Sequence, residues 1–403
     1  MLFVMANLAM GGGPAALAQN SSMQGPSAAG VRAAPPVTSD ADAQAALAEQ
    51  FKGVTADGNL IPRLYSIQKT GISTAPIYAA AAALVAALSP EQKTKILFPV
   101  DSDEWRQWNN IPQYRRQGVS LAEMNPEQRD KVFALLKESL SLRGFETVRN
   151  IMRLNETLAE MTGKRDWFGE HLFWITVMGT PSADGPWGWQ LDGHHLVINY
   201  FILQDQIVMT PTFMGSEPVQ ATTGKYAGAR VFQREEQDGL ALIRALTPDQ
   251  RDKAILANEV TPDLFTGAFR DNVELKYMGI RYDGLSAAQQ ALLLRLIEAY
   301  IGSIRSGHAE VRMAEVKQHL PETHFAWMGG FDDETLFYYR VHSPVVLIEF
   351  DHVRGFTSVG KAAPVRNHVH TIVRTPNGND YGRDLLRQHR EQFDHGAGST
   401  HTH

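Results

Sequence analysis

The chain resembles itself, and that self-similarity constrains its fold more than any other feature. Leu88-Ser-Pro-Glu-Gln-Lys-Thr-Lys-Ile-Leu returns as Leu246-Thr-Pro-Asp-Gln-Arg-Asp-Lys-Ala-Ile-Leu. The helix opened by Asn125-Pro-Glu-Gln has a counterpart after Ser286-Ala-Ala-Gln, and a glycine stands seven residues before that cap in each copy, Gly118 and Gly279. Trp187-Gly-Trp-Gln-Leu-Asp-Gly-His-His-Leu-Val-Ile-Asn then aligns with Phe337-Tyr-Tyr-Arg-Val-His-Ser-Pro-Val-Val-Leu-Ile-Glu at an offset of 150, and the blocks keep their order with offsets between 150 and 161. Ordered self-similarity of this kind is the mark of a structural unit used twice. The expected fold is α+β: two tandem similar halves, each with helices followed by antiparallel strands, packed as one unit. The first half is expected over residues 39–236 and the second over 237–390.

Local signals agree. Ser89, Asn125, Thr247 and Ser286 are N-cap residue types, each with Gln three residues later, and Pro90, Pro126 and Pro248 follow three of them. The cap oxygen takes an unpaired N–H, the Gln reaches back, and proline gives up no useful donor. After Asn125, Val132, Phe133, Leu135, Leu136 and Leu140 recur at helical spacing. Leu196-Val-Ile and Val345-Val-Leu-Ile are continuous apolar runs suited to strands covered on both faces, and 173–177 and 207–209 add further strands.

Composition removes several function classes. No cysteine is present, which excludes disulfides, thiolate metal sites and cysteine nucleophiles. The net charge of −6 without basic blocks argues against nucleic-acid binding. Residues 1–18 are apolar and end in Ala16-Leu17-Ala18, the pattern of an export signal, and residues 19–38 read as a flexible linker. The apolar run Ala79–Leu88 is too short to span a bilayer and continues into a polar helix. Residues 391–403 form a His-rich tail, continuing from His389. The expectation is an exported protein without a membrane span.

The histidines carry the chemical signal. All 14 lie at or after His171. In Asn367-His368-Val369-His370, strand alternation puts His368 and His370 on one face with Cα atoms roughly 6–7 Å apart, close enough for two imidazoles to share a metal. His195 and Glu349 are the expected further ligands, with His194 in reserve, because adjacent strand residues face opposite ways. Glu349 sits in a run too apolar to leave a carboxylate unpaired, and its equivalent in the first half is Asn199. Such a donor set suits a divalent transition metal, zinc first, with copper, iron or manganese also compatible. His342 or Asp192 is the expected general base. Arg340 and Arg374 are candidates to clamp a substrate anion, or to pair with Glu349 or Asp351. Trp189 and Tyr339 are candidates for an aromatic substrate wall, or for core packing. Asp380, in the turn Pro376-Asn-Gly-Asn-Asp380, is placed to orient a histidine. No G-x-S-x-G, G-K-[ST] or H-E-x-x-H motif is present.

Three segments resemble a family known as domain of unknown function 3500. They are 187–199, 337–351 and Asn367-His-Val-His-Thr-Ile-Val-Arg-Thr-Pro-Asn-Gly-Asn-Asp-Tyr-Gly. The resemblance covers most of the chain from about residue 45 to His389, while Val353–Lys361 departs from the pattern. It implies the grouping of these motifs and no particular reaction. From the residues, the expected function is an exported metal-dependent hydrolase that activates water on a small-molecule substrate. The alternatives are a metal- or ligand-binding protein without catalysis, and a metal-dependent oxidoreductase.

Overall fold

The computed structural model of the protein describes residues 37, 39–355 and 364–393. The expected leader, nearly all of the linker, the tail beyond Phe393 and most of Val353–Lys361 lie outside the described residues. In chain order the elements are α1 (Asp40–Ala48), α2 (Ala75–Ala87), α3 (Pro90–Ile96), β1 (Leu97–Phe98), β2 (Val119–Ser120), α4 (Pro126–Ser139) and α5 (Leu142–Thr162). Strands β3 (Phe173–Met178), β4 (Pro186–Gly193), β5 (Leu196–Leu203), β6 (Gln206–Val208) and β7 (Thr212–Ser216) follow. Then come α6 (Gln233–Ala245), α7 (Pro248–Ala254), β8 (Ile255–Ala257), β9 (Ile280–Arg281), α8 (Ala287–Ile301) and α9 (His308–Gln318). Strands β10 (His324–Gly329), β11 (Phe337–His342), β12 (Leu347–Arg354) and β13 (Pro364–Arg374) precede the last helix, α10 (Arg383–Phe393). The division expected between residues 236 and 237 falls inside α6, so the helix boundary lies a few residues earlier. Among the described residues no helix is long and apolar enough to cross a membrane.

All thirteen strands join one mixed sheet, in the order β1-β3-β4-β5-β7-β13-β12-β11-β10-β8, with β2, β6 and β9 attached to β3, β5 and β10. Most pairs are antiparallel, as expected. The exceptions are β1 and β8, the chain just after the capped helices α3 and α7, which run parallel to β3 and β10. At the centre, β7 pairs with β13 through five rungs, from Val369↔Ser216 to Val373↔Thr212.

The four expected capping boxes are all formed, at Ser89, Asn125, Thr247 and Ser286. Each capping glutamine also has a second task. Gln92 and Gln128 bond each other's side-chain amides, and Gln250 and Gln289 do the same, so each pair clips two helices together. The glycine before each second cap has a steric reason. Gly118 and Gly279 have φ +86° and +96°, and a Cβ there would lie 2.3 Å from the Ile175 carbonyl oxygen or 2.1 Å from that of Phe325.

The register gives the sheet two unlike faces. One carries Ile175, Trp189, Leu191, Ile198, Tyr200, Ile348, Phe350, Phe337, Tyr339 and Trp327, which join the main apolar core. The helices cover this side: Tyr200 donates to the Ser139 carbonyl, and the Tyr339 hydroxyl meets Tyr300 of α8. The opposite face carries Gln190, Asp192, Asn199, Arg340, His342, Glu349, Asp351, His368, His370 and Arg374, all buried. Loops 101–117 and 258–278 lie over it, bonding Gln190 through Trp105 and Glu349 through Phe265 and Thr266.

Two glycines of positive φ separate backbone strain from steric exclusion. Gly163, which caps α5 at φ +71°, has open space within 4 Å of the place a Cβ would take, so Gly163→Ala is expected to cost about 1 kcal/mol from the left-handed backbone alone. Gly279→Ala must also displace a backbone carbonyl and is expected to cost roughly 1–3 kcal/mol more. Urea unfolding of the two variants checks this, and equal losses would contradict it.

Candidate metal centre

Three histidines converge where the two halves of the sheet meet. Strand alternation on β13 sends His368 and His370 to the polar face, while Val369 enters the core on the other side. His195 arrives from the short β4–β5 connection. Its backbone is left-handed, with φ +65°, and its carbonyl accepts from Gly215 N of β7 at 2.7 Å. Gly215 lies opposite His370, and a Cβ there would sit 3.0 Å from His370 Cδ2 and 3.1 Å from His195 Cδ2. A glycine inside this strand therefore makes room for two imidazoles.

The His195 and His368 Nε2 atoms are 2.9 Å apart, and those of His368 and His370 are 3.0 Å apart. The outward nitrogens fix two of the tautomers. His368 Nδ1 lies 2.7 Å from the Arg354 carbonyl oxygen, which can only accept, so Nδ1 carries the proton. His370 Nδ1 lies 2.9 Å from Asp263 Oδ1. Burial pushes the Asp263 carboxyl up, but the His370 ring, its hydrogen bond, the Leu264 N–H and His368 together hold it below its usual range, so it too accepts. In their neutral forms, His368 and His370 then present bare lone pairs to each other across 3.0 Å. His195 and His368 resist protonation. Burial, then the charge of neighbouring imidazoles, depresses His195 well below its usual value, and burial followed by His370 brings His368 to about 3. Facing lone pairs repel, and a proton or a metal ion between them turns the repulsion into attraction. Imidazoles oriented by a carbonyl and a carboxylate are the usual arrangement around a protein-bound metal.

His195, His368 and His370 are together able to offer one nitrogen each within 4.8 Å of one another. Glu217, buried, adds a carboxylate oxygen 3.4 Å from His368 Nδ1. Asp351 is the cross-strand partner of His370 on the same face. It is fully buried, and neither carboxyl oxygen has a hydrogen-bond partner among the described residues. Burial, then the charges of Asp263 and Glu349, raise its pKa well above the usual carboxylate range.

Several expected site residues go elsewhere. Glu349 is not at the histidines: it pairs with Ile372, one same-face step along β12 from Asp351. Its oxygens accept from Phe265 N at 2.8 Å, Thr266 N at 3.0 Å, Tyr338 OH at 2.8 Å and the Thr266 hydroxyl. His194 turns toward α5, where Nδ1 meets Asn155 Oδ1 at 2.8 Å, and its ring stacks on His195 at 3.7 Å. Asp192 faces Arg116 at 3.1 Å, and burial outweighs that guanidinium to raise it to about 6. An ion-paired carboxylate is a poor general base. His342 lies on the rung of Leu347, two same-face steps beyond Asp351, with Tyr277 packed on it at 4.5 Å. Arg374 is consumed by Asp271, Asp380 and the Thr266 and Gly267 carbonyls. Asp380 thus holds an arginine rather than a histidine. Trp189 and Tyr339 belong to the helix-covered core, stacked on Tyr200 and Phe350. Asp263, Glu217, Asp351 and Gly215 were not expected. Only Gly215, a glycine among strand residues, carries a local signal.

A cavity of about 400 Å³ opens on the helix side, lined by Tyr65, Met209, Met214, Tyr300 and His308. From β13 it takes Thr371 and Val373, which face away from the three histidines, so it is separate from them.

Fold and site together define a mixed α/β protein with one central sheet and a buried histidine cluster at its midline. The family described as "Protein of unknown function (DUF3500)" matches residues 70–383, more than three quarters of the chain, and the chain belongs to it. No curated protein and no solved structure matches it.

Neutral buried histidines make stability depend on pH. Unfolded histidines protonate near 6.5. In the folded protein burial brings His352 to about 4 and His368 to about 3. Between these values the unfolded chain binds more protons. The contribution of these residues is fully present above about pH 6.5 and is lost as pH falls toward about 3. The urea midpoint of chelator-treated protein should therefore drop across that window, and a flat midpoint would contradict the neutral assignment.

Proposed function

We propose that His195, His368 and His370 hold one divalent transition metal and that the protein is an exported metal-dependent hydrolase acting on a small-molecule substrate. The observation that carries the reading is the convergence of three imidazoles, His368 Nε2 lying 2.9 Å from that of His195 and 3.0 Å from that of His370, with two of the rings held from behind by Arg354 O and Asp263. Three imidazoles leave room in a four-coordinate zinc shell for water, and a divalent metal there would supply Lewis acidity toward water or a bound carbonyl. Asp351 is the general base in this reading. Its carboxyl group is bonded to nothing among the described residues and stands opposite His370. A nearby cation favours its ionised form, countering the burial that otherwise keeps it protonated. The all-imidazole donor set also suits copper or iron, so a metal-dependent oxidoreductase is the second reading. Export rests on the composition of residues 1–18.

We also propose that the two halves descend from a duplication. Supporting this are the paired capping boxes, the equivalent glycines Gly118 and Gly279, and a strand order that reads alike outward from the β7–β13 pair.

Elemental analysis of protein purified without chelators should find about one metal per chain in the parent and essentially none in His368→Ala/His370→Ala. A parent that stays metal-free after loading with zinc, copper, iron and manganese would overturn the metal reading. Asp263→Asn weakens the support behind His370 and is expected to lower metal affinity on the order of 10–100-fold, read by competition with a chromogenic chelator. His194→Ala is expected to leave metal affinity unchanged.

A further inference from the structure

The polar face holds a second feature, on β11 beside the histidines. Arg340 is 1% exposed, and none of its three guanidinium nitrogens has a hydrogen-bond partner among the described residues. A buried guanidinium left unpaired is strongly unfavourable. The carboxylate opposite it cannot fully answer this, because Glu349 already accepts from Phe265 N, Thr266 N, the Thr266 hydroxyl and Tyr338. Arg340 rests near the Phe265 ring, 5.5 Å from its centroid, which supports the plane of the guanidinium and supplies no acceptor. Two more buried groups on this face are equally bare: both oxygens of Asp351 and both ring nitrogens of His342. The register arranges them in steps. Asp351 lies one strand from His370, and Arg340 one strand further and one same-face step along.

The first half shows how the same positions look when they are merely structural. At the offset of 150, Gln190, Asn199 and Asp192 stand where Arg340, Glu349 and His342 do. Gln190 donates to Asn199 Oδ1 at 2.7 Å and to the Trp105 carbonyl at 3.0 Å. Asn199 donates to the Pro211 carbonyl, and Asp192 has Arg116. Gly188, the counterpart of Tyr338, leaves its space to the Trp105 ring. The amides at the positions of Arg340 and Glu349 are thus bonded in the first half, whereas the second half keeps a guanidinium, a carboxyl group and an imidazole without partners among the described residues.

We propose that Arg340 is an anion-recognition residue, and that the substrate is a small molecule carrying an oxyanion group, a carboxylate or a phosphate, held by Arg340 with its reacting end toward the three histidines. This rests on the metal reading for the orientation of the substrate, and on Arg340 alone for the anion. A planar guanidinium offers a forked pair of N–H donors that matches either group. His342 stands two residues away on the same face and provides a further donor when its tautomer allows.

The test is calorimetric titration of the full chain with two probes, succinate and inorganic phosphate. The proteins compared are the parent, Arg340→Gln and the metal-free His368→Ala/His370→Ala variant. The parent should bind at least one probe saturably, and the tighter probe assigns the anion. Arg340→Gln should weaken that binding at least about tenfold. The double-histidine variant should retain it, which places the anion at Arg340 even if no metal is ever found. Loss in both variants also supports the proposal, as a site shared by metal and arginine. A parent that binds neither probe at about 10 mM, roughly the weakest affinity such a contact would give, overturns it, whether or not the variants fold. Unchanged binding in Arg340→Gln overturns it as well. If in addition the double-histidine variant loses binding, the anion sits on the metal, and the metal reading survives while this one fails.

Discussion

The pairing of β7 with β13 is the contact on which the rest of the molecule depends. Five backbone rungs turn two separate strand sets into one continuous sheet. They also bring together distant parts of the chain, since the β7 rung at Gly215 sets the His195 turn against His370 and places His195 beside His368, 173 residues away. Because a strand slipped by one residue would turn its whole face over, this register has no tolerance. A one-residue shift would drive His368 and His370 into the helix-covered core and bring Val369 to the midline. The apolar packing of Val369 on the helix-covered side, opposite the imidazoles, thus enforces their position.

The second constraint is that a polar sheet face has been buried under loops. Desolvating so many polar groups is tolerable only if they are bonded. For the most part they are: Arg374 with Asp271 and Asp380, Glu349 with its four donors, Gln190 with Asn199 and Trp105. Arg106 of the first loop reaches the same Asp271 at 2.9 Å, so both covering loops are tied into one ionic network with β13. Within so well-satisfied a face, a few bare groups stand out. Arg340, His342 and Asp351 are neighbours on β11 and β12, beside the strand that carries His368 and His370.

Much of this was legible in the sequence, for reasons that can be named. Capping boxes are local, and all four formed where Ser89, Asn125, Thr247 and Ser286 stand. The convergence of His368 and His370 follows from strand alternation alone. His195 reaches the cluster by a route that alternation does not describe, since it sits in a turn with positive φ and stacks on His194 rather than opposing it. Glu349 shows where such reasoning stops. The apolar run around it correctly implied a buried, fully bonded carboxylate, but which carboxylate faces His370 depends on the register of the β12–β13 hairpin, and that register selects Asp351. Asp263 had no signal at all. It lies 107 residues from His370 in a loop without periodicity, and only the folded covering loop brings it there.

The two halves of the sheet then explain why the chemistry collects on one side of the midline. The polar face runs across both sides of the β7–β13 pair, and each side must be satisfied or must bind something. In the first half Trp105 fills the space over Gly188, and an amide pair replaces the arginine–glutamate rung. There the rung is closed by side chains of the chain itself. In the second half Tyr338 occupies the glycine position and spends its hydroxyl on Glu349, which leaves Arg340 with an occupied neighbour and no acceptor among the described residues. A buried arginine without a hydrogen-bond partner lowers stability, and the Phe265 ring beside it supplies no acceptor. A guanidinium without a bonded partner among the described residues, on a face where Gln190 at the corresponding rung is bonded, is the observation that supports the proposed anion arriving from outside the chain.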